Sequence, residues 1–345
     1  MAEPESVVPY RRATIRDVAR LAGVHPSTVS RVLNGDDRRA VASTRQLIRQ
    51  AVETLGWKPS TLARSLSTGR AHALGFLIPN LRNPAYAAMI SGADQAASEL
   101  DTMVLLAEAR DEDRATRHVE QLVGRVDGLV VASAIRNTKM FDLLEAERLP
   151  YVLLNRRAQP GLPAVIGDDE AGVSLAVDHL VGLGHRRIAH IRGPVGIDTA
   201  DRRCAAFEAA MSRNGLDLPP GIVFTAEQSE SGGIEGARHL LSLPKGARPT
   251  AVFAVNLLVA VGGVAEARAQ GLEVPRDVSF VGFDDWPLAD RLEVPMTTVR
   301  MPSEEMGRAA VALLQEQIDG ATLSGDHLVP IQPILVVRSS TSPPP

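Results

Sequence analysis

From residue 71 onward the chain repeats one pattern: a short apolar run, an amphipathic stretch, then another apolar run. The runs fall at 73–78, 103–107, 128–132, 151–154, 164–166, 187–191, 222–225, 251–255, 278–283 and 334–337. Helix-like stretches lie between them, among others at 85–100, 170–183, 199–214, 233–243, 257–270 and 303–318. Parallel strands need a crossover of a dozen or more residues, which a helix supplies, so this alternation predicts parallel sheets covered by helices. The stretch is longer than one such sheet needs, and two are expected. Ligands of open α/β sheets sit beyond the strand C-termini, and two facing sheets form a cleft there.

Residues 14–56 have a different period. Thr14 can cap a helix in which Ile15, Val18, Ala19 and Ala22 form one apolar stripe, and Gly23 suits its end. Pro26 fits the first position of a second helix, with Val29, Val32 and Leu33 inward and a stop near Asn34-Gly35. Ser43 and Gln46 read as a capping box for a third helix, with Ile48, Ala51, Val52 and Leu55 inward. Two helices joined by a tight glycine turn and braced by a third make a helix-turn-helix, whose second helix enters the major groove. Its outward residues are Ser27, Thr28, Ser30 and Arg31. Arg31 suits guanine O6/N7, and the hydroxyls suit phosphates or base edges. Periodicity alone leaves open a plain three-helix bundle with surface serines.

Charge separates the two regions. The net charge of −4 conceals a +6 head over residues 1–70 and a −10 remainder. A basic head on an acidic body is the layout of a nucleic-acid reader joined to something else, the alternative being a basic surface on an enzyme. The composition, 45% hydrophobic and 23% charged, excludes wholesale disorder. Cys204 is the only cysteine, which excludes an internal disulfide and a cysteine metal cluster. No apolar run nears the ~20 residues of a membrane span. The segment 1–13 reads as a polar, flexible tail without the core of a signal peptide, which places the protein in the cytoplasm. His179, His185 and His190 are too scattered for a metal site. The Gly-Leu-Gly-His stretch at 182–185 ends a helix and precedes a strand, the reverse of a phosphate loop. No nucleophile–base pair emerges, so no catalytic site and no cofactor are expected.

The wording of the head is more specific than its period. "TIRDVARLAGVHPSTVSRVLNG" (14–35) closely resembles the N-terminal signature of the lactose/galactose repressor (LacI/GalR) family. "LGWKPSTLARSLSTGR" (55–70) resembles that family's third-helix end and hinge. The resemblance implies an all-α helix-turn-helix headpiece (14–59), a hinge (60–70) and an α/β, two-lobed body like periplasmic sugar-binding proteins. The body would divide into 71–167 with 301–331 and 168–300 with 332–341, with chain crossings near 167–169, 298–301 and 330–333. It further implies a homodimeric regulator, most often a repressor, on double-stranded operator DNA at the nucleoid, controlled by a sugar-like effector.

Thr14, Pro26, Ser27, Thr28, Ser30, Arg31 and Asn34 would then face DNA. Two hinges would pair in the minor groove, Ala63 permitting close approach and Leu66 wedging into the central base step. Three departures from the family pattern stand out. His25 occupies the usual serine cap, which predicts a less firm start to the second helix. Pro26 brings no donor to a base-reading position. The 36–41 loop is one residue longer, with Ala40-Val41 for Val-Ser, leaving the cap of the third helix to Ser43.

Candidate effector contacts sit at strand ends. Asn80 and Tyr86 follow the first run, and Asn155-Arg156 the fourth, where the family often has Asp at the Asn155 position. Asp198 and Arg203 open a helix, Arg203 matching the family's ligand arginine. Gln228 falls where many relatives carry an aromatic residue. Asn256 is followed by Leu257 instead of the usual Asp, and Asp284 matches the family's ligand aspartate. Donors and acceptors converging on one cleft suit a polyhydroxylated ligand. The alternative for each residue alone is a helix cap or turn former. The last strand is followed by "VVRSSTSPPP" without the heptad helix of family tetramers, so a dimer is expected. The rival from another class is a cytoplasmic sugar-binding or sugar-modifying protein with an incidental helical head.

Overall fold

The computed structural model describes residues 13–33, 41–57, 69–133 and 138–345. It forms two compact units, Met1–Ala71 and His72–Pro345.

The first unit contains α1 (Ile15–Ala22), α2 (Pro26–Leu33) and α3 (Ala42–Leu55). The Thr14 hydroxyl accepts the Asp17 N–H at 3.4 Å, and the Asp17 carboxylate accepts the Thr14 N–H at 2.9 Å, a reciprocal capping box. Gly23 ends α1 at φ 66°, donating its N–H to the Ala19 and Arg20 carbonyls. Val18, Val29 and Ile48, all fully buried, meet at the centre of the three helices. The box expected at Ser43 does not form: α3 starts at Ala42, with Val41 as an N-cap that makes no side-chain bond. Ser43 thus lies inside the first turn, where the Gln46 N–H already belongs to the helix ladder.

The second unit runs β1 (Ala73–Ile78), α4 (Ala85–Glu99), β2 (Met103–Glu108), α5 (Glu112–Leu122), β3 (Gly128–Val131), α6 (Thr138–Ala146), β4 (Tyr151–Leu154) and β5 (Ala164–Ile166). It continues with α7 (Asp169–Gly182), β6 (Ile188–Arg192), α8 (Asp198–Arg213), β7 (Val223–Thr225), α9 (Glu230–Leu241), β8 (Ala251–Ala254), α10 (Leu257–Ala269) and β9 (Ser279–Phe283). It closes with β10 (Thr297–Arg300), α11 (Ser303–Ile318), β11 (Asp326–Leu328) and β12 (Ile334–Val336).

One sheet has the order β11-β5-β4-β3-β1-β2 with every pair parallel. The other is β12-β10-β9-β8-β6-β7, parallel except for the antiparallel pair β10/β12, so it is not wholly parallel. The chain passes from the first sheet to the second between β5 and β6. It returns between β10 and α11, which packs on α4, β3 and β4, and leaves again between β11 and β12. Each sheet carries an apolar cluster on both faces, the burial a parallel sheet requires.

Two strands carry no apolar run. β10 occupies part of the stretch read as a crossing, and its Thr297 and Thr298 are fully buried. Their hydroxyls are bonded, Thr298 to Asp285 at 2.6 Å and Thr297 to the Arg338 carbonyl at 3.2 Å. β11, Asp-His-Leu, is a polar edge strand. Helices α4 and α11 touch through reciprocal glycines. A Cβ on Gly307 would lie 2.0 Å from the Met89 carbonyl oxygen, and one on Gly92 would lie 1.9 Å from that of Glu304.

Candidate functional site

The ends of β1, β4, β6, β8 and β9 bring side chains from both sheets to one place, centred on Arg203 of α8. Arg203 is 4% exposed, and its Cζ sits over the Phe283 ring, 3.8 Å from the centroid. Its Nε donates to Asp169 at 2.8 Å, and Nη1 donates to the Val255 carbonyl at 2.8 Å and to Asp284 at 3.1 Å. Nη2 donates to the other Asp284 oxygen at 3.3 Å. Four of the five guanidinium N–H bonds are thus used. Burial pulls the Arg203 pKa down, but the Asp284 and Asp169 carboxylates outweigh it and hold the group charged. Asp284 is pushed up by burial, against the opposing pull of Arg203.

The backbone there is strained. Asn155 follows β4 at φ 58° and Asp284 follows β9 at φ 66°, both left-handed without being glycine. Such positions cost about 1–3 kcal/mol and cluster at ligand sites.

Tyr86, second residue of α4, is half-buried, and its phenol is pushed up to about 12. Burial is the main cause and the Asp284 charge adds to it, while Arg156 and Arg203 oppose both. Tyr86 therefore shares an electrostatic neighbourhood with residues of the second sheet. Asn256 caps α10, its Oδ1 accepting the Val259 N–H at 2.9 Å. It is 1% exposed, and its Nδ2 has no hydrogen-bond partner. A buried donor left so costs about 1–3 kcal/mol, which a ligand acceptor removes.

The other candidates are engaged differently. One Asp198 oxygen accepts the Arg157 N–H and the Arg202 Nε, both at 2.9 Å. Arg157 also donates to Asp326 of β11 at 2.7 Å, and Arg202 pairs with Asp169 and reaches the Asn155 carbonyl at 3.5 Å. Asp198 thereby links the loop after β4 to α8. Gln228 is half-buried against the loop after β6, its Nε2 2.5 Å from where a Gly193 Cβ would stand. Asn80 stabilises a turn, accepting the Arg82 N–H at 2.9 Å. The site thus joins Tyr86, Asn155, Arg156 (4% exposed), Arg203, Asn256 and Asp284 to two residues the sequence reading did not select, Asp169 and Phe283. Arg156 directly follows the left-handed Asn155, and Asp169 is the first residue of α7. Asp285, beside Asp284, has a separate role, holding Arg300 and Arg338 at 2.6 and 2.8 Å.

On the first unit, Thr14 is committed to its capping box. Pro26, Ser27, Thr28, Ser30 and Arg31 lie on α2, with Ser27 and Arg31 exposed. The weak start expected from His25 is not found. The imidazole replaces the serine cap, Nδ1 accepting the Ser27 N–H at 3.3 Å while the His25 carbonyl accepts the Thr28 N–H at 2.9 Å. Asn34, Ala63 and Leu66 lie outside the described residues. Among those described, no group of three or more His, Cys, Asp and Glu could hold a metal, and no helix is long and apolar enough to cross a membrane.

Comparison with known proteins places this geometry. Residues 14–60 match the family of bacterial regulatory proteins, lacI family, and residues 177–341 match a periplasmic binding protein-like domain. The chain is 36% identical over 332 residues to the ribose operon repressor of Escherichia coli (strain K12), covering 95% of this chain and 99% of that protein. It resembles the solved CelR–cellobiose complex, a transcriptional regulator, with 31% identity, a TM-score of 0.72 and coverage of 95% and 100%. It also resembles the Lac repressor dimer bound to operator and the anti-inducer ONPF, with 28% identity, a TM-score of 0.84 and coverage of 96% and 100%. The chain belongs to the LacI family of bacterial regulatory proteins.

Proposed function

We propose that this protein is a sequence-specific transcriptional repressor whose operator affinity is set by a sugar or sugar derivative bound between the two sheets. The observation that carries the effector half is the Arg203–Asp284 pair beside the unpartnered Asn256 Nδ2. Vicinal hydroxyls need a donor and an acceptor side by side, and a paired guanidinium and carboxylate offer both. Tyr86, Asn155 and Arg156 line the same neighbourhood. The relatives named for ribose and bound to cellobiose support this ligand class.

The headpiece (14–59) reads the operator through Pro26, Ser27, Thr28, Ser30 and Arg31, with Thr14 and Asn34 beside them and Ala63 and Leu66 in the hinge (60–70). The effector subdomains are 71–167 with 301–331 and 168–300 with 332–341. A homodimer matches a two-fold operator, and its site of action is the cytoplasm, on the nucleoid. Effector changes the angle between subdomains, and the link from Asp198 to the Arg157 loop is one contact that such a movement strains. In this reading the cleft binds its ligand without transforming it.

The test combines a thermal-shift screen of sugars and nucleobases with gel shifts on DNA from the protein's own locus. A sugar that raises Tm and changes the gel shift, with both effects absent in Asp284→Ala, supports the proposal. Catalytic turnover of a sugar without operator binding contradicts it.

A further inference from the structure

The exposed face of α2 carries three interlocked side chains. The Ser27 backbone N–H, which can only donate, points to His25 Nδ1 at 3.3 Å. That nitrogen therefore holds its lone pair, and the ring proton sits on Nε2. The Ser27 Oγ lies 2.8 Å from the same Nδ1 and must give its single hydrogen to it. Arg31 closes the set, its Nη2 donating to the Ser27 Oγ at 3.4 Å and its Nε to the Ser27 carbonyl at 3.3 Å. With its hydrogen committed and one lone pair taken by Arg31, the Ser27 hydroxyl presents only an acceptor to the outside.

A free serine hydroxyl serves as donor or acceptor and so discriminates poorly among base edges. We propose that His25 sets the hydrogen-bond polarity of Ser27. The chain thereby selects, at the base this serine meets, a major-groove edge that offers an amino donor: adenine N6 or cytosine N4. Guanine and thymine present acceptors to such a residue and are refused. His25 is a positioning residue here, acting through Ser27. The inference rests on the reading of α2 as the helix that enters the major groove.

The test is a binding selection on randomised half-sites with the full-length protein. Wild type is expected to favour adenine or cytosine at one position by about threefold to tenfold, the range of one net hydrogen bond. Ser27→Ala flattens that position. His25→Ala admits guanine and thymine there while the other positions keep their preferences. His25→Asn, whose amide oxygen accepts both the Ser27 N–H and O–H, restores the selection. A thermal melt confirms that each variant folds, since His25 is exposed and outside the core. A uniform loss of affinity in His25→Ala with the base preference intact overturns the proposal and leaves His25 as a helix cap only. A guanine or thymine preference at the Ser27-dependent position also overturns it. Failure of the underlying reading looks different: wild type selects no sequence, or neither Ser27→Ala nor Arg31→Ala changes any position.

Discussion

Replacing Arg203 by alanine should test how the cleft is held together. The guanidinium neutralises two carboxylates, Asp169 at 3% and Asp284 at 7% exposure, neither of which can reach bulk water in place. Removing one partner of a buried ion pair costs about 3–5 kcal/mol, chiefly because a charge is left unpaired. Loss of the stacking over Phe283 adds roughly 0.5–2 kcal/mol. Against a typical domain stability of about 5–15 kcal/mol, Arg203→Ala removes a large share. Arg202 retains its own pair with Asp169, so the charge left most exposed to the loss is that of Asp284. Adding Asp284→Ala to Arg203→Ala should therefore recover about half of the loss while leaving effector binding abolished. The pH dependence has a definite sign. An orphaned Asp284 has a folded pKa above its unfolded value, so the single variant gains stability relative to wild type as pH falls toward that range, and the double variant does not. Urea unfolding of wild type, Arg203→Ala, Asp284→Ala and the double variant at two pH values measures all of this. A loss under about 1 kcal/mol in Arg203→Ala, or additive single and double losses, refutes the argument.

Three further outcomes follow from particular contacts. His190 is fully buried between Phe207 and Phe253 at 4.9 Å each, and burial pushes its pKa down to about 4 from 6.5. The neutral ring is favoured by the fold, so wild type should lose up to about 3 kcal/mol as pH falls from 6.5 toward 4, a loss absent from His190→Phe in urea melts. Gly307→Ala drives a methyl into the Met89 carbonyl and should cost about 1–3 kcal/mol by forcing α4 from α11, read as a lowered Tm. Asp198→Asn weakens the bonds to Arg157 and Arg202 without touching the Arg203–Asp284 pair, so it should shift operator affinity while changing effector affinity less than Asp284→Ala does. Equal effector losses in the two variants would place Asp198 among the direct ligand contacts.

Much of this architecture is legible locally. The helices of the head follow from one apolar stripe each and from Gly23, whose φ of 66° the sequence anticipates. Ten strands follow from apolar runs. β10 does not, because buried threonines make it a strand only once Asp285 and the segment after β12 satisfy their hydroxyls. β11 does not because an edge strand needs no apolar face. In the cleft, Arg203 and Asp284 are visible as charged residues at element ends, but their pairing depends on α8 and β9 meeting. Asp169 and Phe283 are silent in the sequence, since nothing local distinguishes a helix-starting aspartate from one that neutralises a buried arginine. Asn256 was legible as two things, a cap and a ligand donor, and the structure gives its two amide atoms different environments: Oδ1 caps, and Nδ2 stays without a partner. Two readings of the head fail: the box at Ser43, because α3 already begins at Ala42, and the weak start at His25, where an imidazole nitrogen accepts the Ser27 N–H.

The central claim is that the cleft and the DNA-reading head are two linked sites of one molecule. Isothermal titration of the sugar identified by the screen, with and without operator DNA, tests it directly, alongside operator titrations with and without sugar. Linkage requires both factors to be equal, of the order of 5- to 150-fold, and both to vanish in Asp284→Ala. A sugar that binds the cleft tightly yet leaves operator affinity unchanged would contradict the account.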